Sequence, residues 1–351
     1  TGELNLKRQY EIKNGTLEYF FDSDVQIVDE FLRQLLSQNT TAKMKAIVET
    51  IQHEQDVVIR DMENDLLMVQ GVAGSGKTSI ALHRAAYLMY QGLQTKLSAN
   101  NIMIISPNSI FEQYISNVLP ELGEDNVISS VFEDILSELL NGRKIQSRND
   151  FLENLIVNSK YKEISRNSIE FKTSSFFREI LDQFLIDIPR QWIEFEDVYY
   201  EGKCVVSGQI LKDKILGRPE TPLGIKLEQL EDYILEQIFG TGKGRGHKEE
   251  KNLIKQEIQK FIKIDIVELY KILFSNEAYF YSLLQNSNPS QNIKNIWKYT
   301  KENLEADSLY YDDAIAIAYL YLKIYGTNKY KNIKQVVIDE AQDYYPLQYE
   351  I

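Results

Sequence analysis

The sequence predicts an α/β protein: a parallel sheet flanked by helices, with a β-hairpin at its start and a large, mainly helical insertion. Three observations predict it. Short apolar runs at 66–69 (LLMV), 102–105 (IMII) and 336–338 (VVI) have the length and composition of strands buried on both faces. The first two are each followed by a helical pattern, and repeated strand–helix units close into a parallel sheet. Between residues 146 and 300 strand-like runs almost vanish and helical periodicity takes over.

Composition bounds the rest. A chain of 351 residues has room for two or three domains, and 43% apolar with 26% charged residues is ordinary for a globular protein. Its single cysteine, Cys204, excludes an internal disulfide framework and predicts a reducing, cytoplasmic setting. No apolar run approaches the ~20 residues of a membrane span. The start at Thr1, without a signal peptide, predicts a processed or excised piece of a longer protein. A net charge of −13 argues against coating duplex DNA by charge alone. It leaves room for a motor whose nucleic-acid contacts are confined to a channel.

In order, residues 4–21 read as a hairpin around Lys13, Asn14 and Gly15, since Asn-Gly favours a type I′ turn. Ser23 to Gln26 has the pattern of a capping box, opening a helix to about Ser37, and residues 41–50 continue helically. We assign 1–48 to this hairpin-and-helix region and 49–141 to the first part of the α/β domain. Gln55 stands sixteen residues before Gly71. A glutamine amide both donates and accepts, which matches the N6/N7 edge of adenine. Taken alone it is a solvated surface residue.

Residues 71–78 read G-V-A-G-S-G-K-T, that is, G-x-x-x-x-G-K-T between a strand and a helix. Gly71, Gly74 and Gly76 let the backbone approach a ligand closely. The N–H groups of this loop, with Ala73 and Ser75 between the glycines and Ser79 at the helix start, suit α/β phosphates. Lys77 reaches β/γ oxygens and Thr78 Oγ ligates Mg²⁺. The helix that follows carries Ile80, Leu82, Ala85, Ala86 and Met89 on one face. Ser109 to Glu112 reads as the capping box of a helix to Leu119, residues 127–130 as a third strand, and Ser130 to Glu133 as the cap of a further helix.

We assign 142–304 to the helical insertion. Residues 176–201 hold seven acids against two bases, and 240–264 seven bases against three acids. The basic stretch is a candidate phosphate contact, or equally a solvated loop and helix. Residues 305–351 return to the α/β domain. The apolar helix at 309–324 has Asp312 and Asp313 in its first turn, where acids favour the positive dipole end. The run Q-V-V-I-D-E-A-Q-D at 335–343 is a strand delivering Asp339 and Glu340 to its C-terminal edge, where open α/β sheets bind ligands. One carboxylate can hold Mg²⁺, often through water, and the next can activate water.

Together the phosphate loop, V-V-I-D-E-A-Q-D and Gln55 resemble superfamily 1 helicases of the UvrD/Rep type. More narrowly, residues 47–60, 79–88, 106–124 and 339–350 resemble the HelD proteins, helicase-like ATPases that bind bacterial RNA polymerase and help recycle it. The resemblance implies a P-loop NTPase of the RecA-like kind, with ATP and Mg²⁺ as cofactors. It gives Gln55 the adenine, Gly74, Gly76, Lys77 and Thr78 the phosphates and Mg²⁺, Asp339 the metal, and Glu340 the role of catalytic base. It also has Gln342 sensing the γ-phosphate and relaying to the nucleic-acid or partner side. Ser79 departs from the arginine common in UvrD/Rep enzymes and fits HelD. The implied partners are single-stranded or duplex DNA in a channel and the RNA polymerase core. The second RecA-like domain and its arginine fingers lie outside this sequence, so the resemblance predicts slow or no hydrolysis by this chain alone. A nucleotide-gated protein-binding module without motor activity is the alternative.

Overall fold

The computed structural model describes residues 8–13, 15–22, 53–95, 97–121, 126–157, 162–218, 220–240, 248–262, 265–284, 291–306, 308–327 and 329–351. The helices expected at 23–37 and 41–50 lie outside these. Contacts divide the chain into two compact units, 1–132 with 330–341, and 133–329 with 342–351. These bounds compare with the 141/142 and 304/305 boundaries expected from sequence.

In the first unit, β1 (Arg8–Lys13) and β2 (Thr16–Asp22) pair antiparallel with Lys13 opposite Thr16, as the hairpin pattern predicts. Gly15, in the turn, has φ +80°, which glycine adopts without strain. Next come α1 (His53–Arg60) and α2 (Lys77–Thr95). A parallel sheet follows, in the order β4 (Ile128–Val131), β3 (Ile102–Ser106), β7 (Gln335–Ile338). The central strand β3 buries Ile102, Met103 and Ile104, as a strand covered on both faces must. The buried face of α2, including Leu82, Ala85, Ala86 and Met89, packs with Ile102, Ile104 and Ile115 into one core. Ile115 belongs to α3 (Ser109–Glu121). Its cap falls one residue earlier than the sequence suggests: Asn108 Oδ1 accepts from Phe111 N–H at 3.0 Å.

The strand expected at 66–69 is not formed. Residues 66–70 lie outside the strands, and Leu66 and Met68 are each 85% exposed while Leu67 and Val69 are partly covered. The apolar run is therefore covered at alternate residues only. No described strand pairs with it, and a strand buried on both faces needs a neighbour to satisfy its backbone.

The second unit is mainly helical. It holds α4 (Phe132–Leu139) from Glu133 onward, α5 (Arg148–Val157), α6 (Lys162–Lys172) and α7 (Ser175–Asp187). After a hairpin come α8 (Gly208–Leu216), α9 (Leu223–Phe239), α10 (Lys248–Ile262) and α11 (Ile266–Ser275). The last helices are α12 (Glu277–Leu283), α13 (Gln291–Asn303) and α14 (Tyr311–Tyr325). The hairpin, β5 (Val198–Tyr200) with β6 (Lys203–Val206), is absent from the sequence reading. It turns through Glu201 and Gly202, both at positive φ. The segment 342–351 docks on this unit: Leu347 N–H donates to the Thr173 carbonyl at 3.0 Å, and Gln348 Nε2 to Tyr311 Oη at 3.1 Å.

The apolar helix expected at 309–324 is α14, buried along almost its whole length. Asp312 and Asp313 do stand in its first turn, but they serve more than the helix dipole. Both are buried, as is Lys172 at the end of α6. Lys172 Nζ lies 2.6 Å from Asp313 Oδ1 and 3.0 Å from Asp312 Oδ2. Ser168 Oγ donates to Asp312 Oδ2 at 2.6 Å and Tyr270 Oη to Asp313 Oδ1 at 2.9 Å. Burial works against the charge on Lys172, but the two carboxylates outweigh it and raise the ammonium. Two carboxylates share one cation, and burial pushes the Asp313 carboxyl up to about 6, against the opposing pull of Lys172.

A folded-state value above the ordinary 3.8 means that protonation of Asp313 favours folding. That contribution is complete below about pH 4 and is lost as pH rises through about 6. The urea midpoint of the helical unit should fall across that window, and Asp313→Asn should flatten the slope. An unchanged slope in the variant would show that Asp313 is not the titrating group.

Candidate active site

Residues 71–76 form the loop that leads into α2. Gly74 and Gly76 have φ of +79° and +84°. A Cβ on Gly71 would lie 2.6 Å from Ser75 Oγ, so a side chain there would make the Ser75 hydroxyl turn aside. Ser75 N–H donates to the Val72 carbonyl at 3.2 Å, and Ile80 N–H to the Gly76 carbonyl at 2.9 Å, which starts the helix. Lys77 Nζ donates to the carbonyls of Gly71 and Val72, both at 3.0 Å. The loop therefore curls around an ammonium at a helix N-terminus, an arrangement suited to an anion. Ala73 is exposed at the loop surface, and Ser79 is partly covered in the first turn of α2.

Gln55, on α1, reaches the same loop. Its Nε2 donates to the Ser75 carbonyl at 3.3 Å, and a Cβ on Gly76 would come within 3.6 Å of it. Arg84 ties the end of α1 to α2. Its Nη1 donates to the carbonyls of Val58 and Ile59 at 3.1 and 3.2 Å, in the last turn of α1. Such carbonyls lack partners within their own helix. Burial lowers the Arg84 pKa, and Asp61 acts in the opposite sense. Arg84 is not among the site residues expected from sequence. Its signal was a cation inside an apolar helix, which must find carbonyl or carboxylate partners. Beside it His83 is buried, and burial pushes it down to about 4, so it is neutral at pH 7.

The sheet brings the distant acids to the loop. Asp339 N–H donates to the Ile105 carbonyl at 3.0 Å, continuing the β3–β7 ladder. The Asp339 carboxylate accepts from Thr78 Oγ1 at 3.0 Å on Oδ2 and 3.2 Å on Oδ1. These residues are 261 apart in sequence. Oxygens about 3 Å apart fit one edge of an octahedron with ~2.1 Å bonds, the geometry of Mg²⁺. Among the described residues no group of three or more His, Cys, Asp or Glu could hold a metal. A cation held by Thr78 and Asp339 would take its other ligands from phosphate and water.

Glu340 follows with φ +50°, left-handed backbone unusual for a residue other than glycine. Its N–H donates to Asp339 Oδ1 at 3.0 Å. Backbone strain of this kind clusters at functional sites. Gln342 is exposed in the turn after β7 and belongs to the second unit, since the boundary falls after Ala341.

Thus one compact unit brings together Gln55, the glycine loop, Lys77, Thr78 and Asp339. Among the described residues no helix is long and apolar enough to cross a membrane. No curated protein matches the chain. The family model of the UvrD/REP helicase N-terminal domain matches residues 51–351, a span that includes every residue of this site. The chain belongs to the UvrD/REP helicase family, the superfamily 1 ATP-driven motors that act on nucleic acid.

Proposed function

We propose that the first unit is a RecA-like ATPase domain and that its loop and sheet edge form the ATP site of the motor. The observation that supports this most is the Thr78–Asp339 contact, which joins the start of α2 to the end of β7. In this reading Gln55 selects adenine. The N–H groups of Gly71, Ala73, Gly74, Ser75, Gly76 and Ser79 hold phosphates. Lys77 exchanges its carbonyl partners for β/γ oxygens. Thr78 and Asp339 hold Mg²⁺, which when bound offsets phosphate charge. Glu340 takes the proton of the attacking water, and Gln342 senses the γ-phosphate and relays to the nucleic-acid or partner side.

Two partner readings remain, and the family alone does not separate them. Translocation on DNA is the general superfamily 1 reading. Ser79, directly after Thr78, and the stretches at 47–60 and 339–350 favour a HelD-like role on RNA polymerase. The test is the steady-state ATPase rate of the intact protein alone, with single-stranded DNA, and with core RNA polymerase, each against Lys77→Ala. Stimulation by DNA alone supports translocation. A stable polymerase complex released by ATP supports the HelD-like role. ATPase activity unaffected by Lys77→Ala would overturn the site assignment.

A further inference from the structure

Three contacts set the register of α1 along α2. At the loop end, Gln55 Nε2 donates to the Ser75 carbonyl. In the last turn of α1, the carbonyls of Val58 and Ile59 accept from Arg84 Nη1. Beyond them the Arg60 guanidinium stands 5.7 Å from the centre of the Tyr87 ring, within cation–π range. The partners rise in step along both segments, so the two helices run in the same sense. Of the three, the Arg84 contact is made from the interior: Arg84 is buried, while Gln55 and Arg60 are partly covered.

α1 depends on such contacts for its position. It has eight residues, and a helix that short is marginal by itself. Asp61 turns the chain at its end: Oδ1 accepts from the N–H groups of Glu63 and Asn64 at 3.0 and 3.1 Å. Arg84 follows Lys77 by seven residues. That is nearly two turns, about 10 Å, so both cations project from one face of α2. Gln55 precedes the gripped carbonyls by three and four residues, about 5 Å along α1. One face of α2 thus carries the lysine of the phosphate loop and the arginine that fixes how far from it Gln55 stands.

An amide reads a base edge only while it is held within hydrogen-bond reach of about 3 Å. We propose that Arg84 is a positioning residue for nucleobase selection: by gripping the end of α1 it holds the Gln55 amide in register with the phosphate loop. The proposal rests on the adenine reading of Gln55, and Arg84 acts through Gln55 alone.

The test is displacement of a fluorescent ATP analogue from the intact chain by ATP, GTP and tripolyphosphate, each with Mg²⁺. Arg84→Gln should lower the ATP-over-GTP preference on the order of tenfold, the discrimination that a bidentate amide–adenine pair supplies. Tripolyphosphate carries no base, and its affinity should match that for the parent. Arg84→Lys keeps a cation for both carbonyls and should recover part of the preference. Added to Gln55→Ala, Arg84→Gln should cause no further loss of preference, since the two act through one contact. A preference unchanged in Arg84→Gln but lost in Gln55→Ala would overturn the proposal. So would equal loss of affinity for ATP, GTP and tripolyphosphate, the mark of a loosened fold. An Arg84→Lys variant no better than Arg84→Gln, or a further loss in the double variant, would overturn it as well. Failure of the adenine reading would register differently, as a preference that Gln55→Ala leaves intact, and would remove the proposal with it.

Discussion

Lys172→Met is expected to destabilise the helical unit by about 3–5 kcal/mol, the cost of leaving a buried charge without its partner. Lys172 is fully buried and is the cation between Asp312 and Asp313. Methionine fills similar volume but leaves two buried carboxylates facing each other. The contacts of Ser168 and Tyr270 cannot offset that, because each supplies one neutral hydroxyl. The measurement is the urea transition of this unit at pH 7. The triple variant Lys172→Met with Asp312→Asn and Asp313→Asn should recover much of the loss, since neutralising a whole buried cluster often costs little. A midpoint equal to the parent's in Lys172→Met alone would show that the cluster does not hold α6 to α14.

Glu340→Gln is expected to keep ATP binding and lower hydrolysis by the intact protein about 10²–10⁴-fold, the usual contribution of a general base. Gln has nearly the shape of Glu, and the N–H of residue 340 that donates to Asp339 is backbone. The Thr78–Asp339 contact should therefore survive, and nucleotide affinity with it. Quenched-flow hydrolysis alongside equilibrium binding separates the two effects. Hydrolysis at the parent rate would remove Glu340 from the chemistry. Loss of binding equal to the loss of rate would make its role structural.

The parts of this molecule that are legible in sequence are those fixed by local chemistry. Gly74 and Gly76 predict a loop of close backbone approach, the apolar face of α2 predicts its packing, and Ile102 to Ile105 predicts a buried strand. Gln55 is legible only through its distance from the loop. Long-range partners are not legible. Asp312 and Asp313 look like ordinary first-turn acids because Lys172 lies 141 residues from Asp313. Arg84 sits in the middle of a helix, and nothing nearby in sequence reveals that it grips the last carbonyls of α1. Residues 66–69 mislead for the same reason: apolar composition suits burial, but burial also needs a neighbouring strand. The β5–β6 hairpin is missed because its strands are short and Glu201-Gly202 is a weaker turn signal than Asn-Gly.

The central claim is that the loop at 71–78 and Asp339 form one Mg-nucleotide site. Its most direct test is equilibrium titration of this chain with a fluorescent ATP analogue, with and without Mg²⁺, against Lys77→Ala. Loss of a charge-assisted contact of about 1.5–3 kcal/mol predicts binding weaker by about 10- to 150-fold in the variant. It also predicts that Mg²⁺ tightens binding to the parent chain. Equal affinity of parent and variant, or an affinity indifferent to Mg²⁺, would contradict the account.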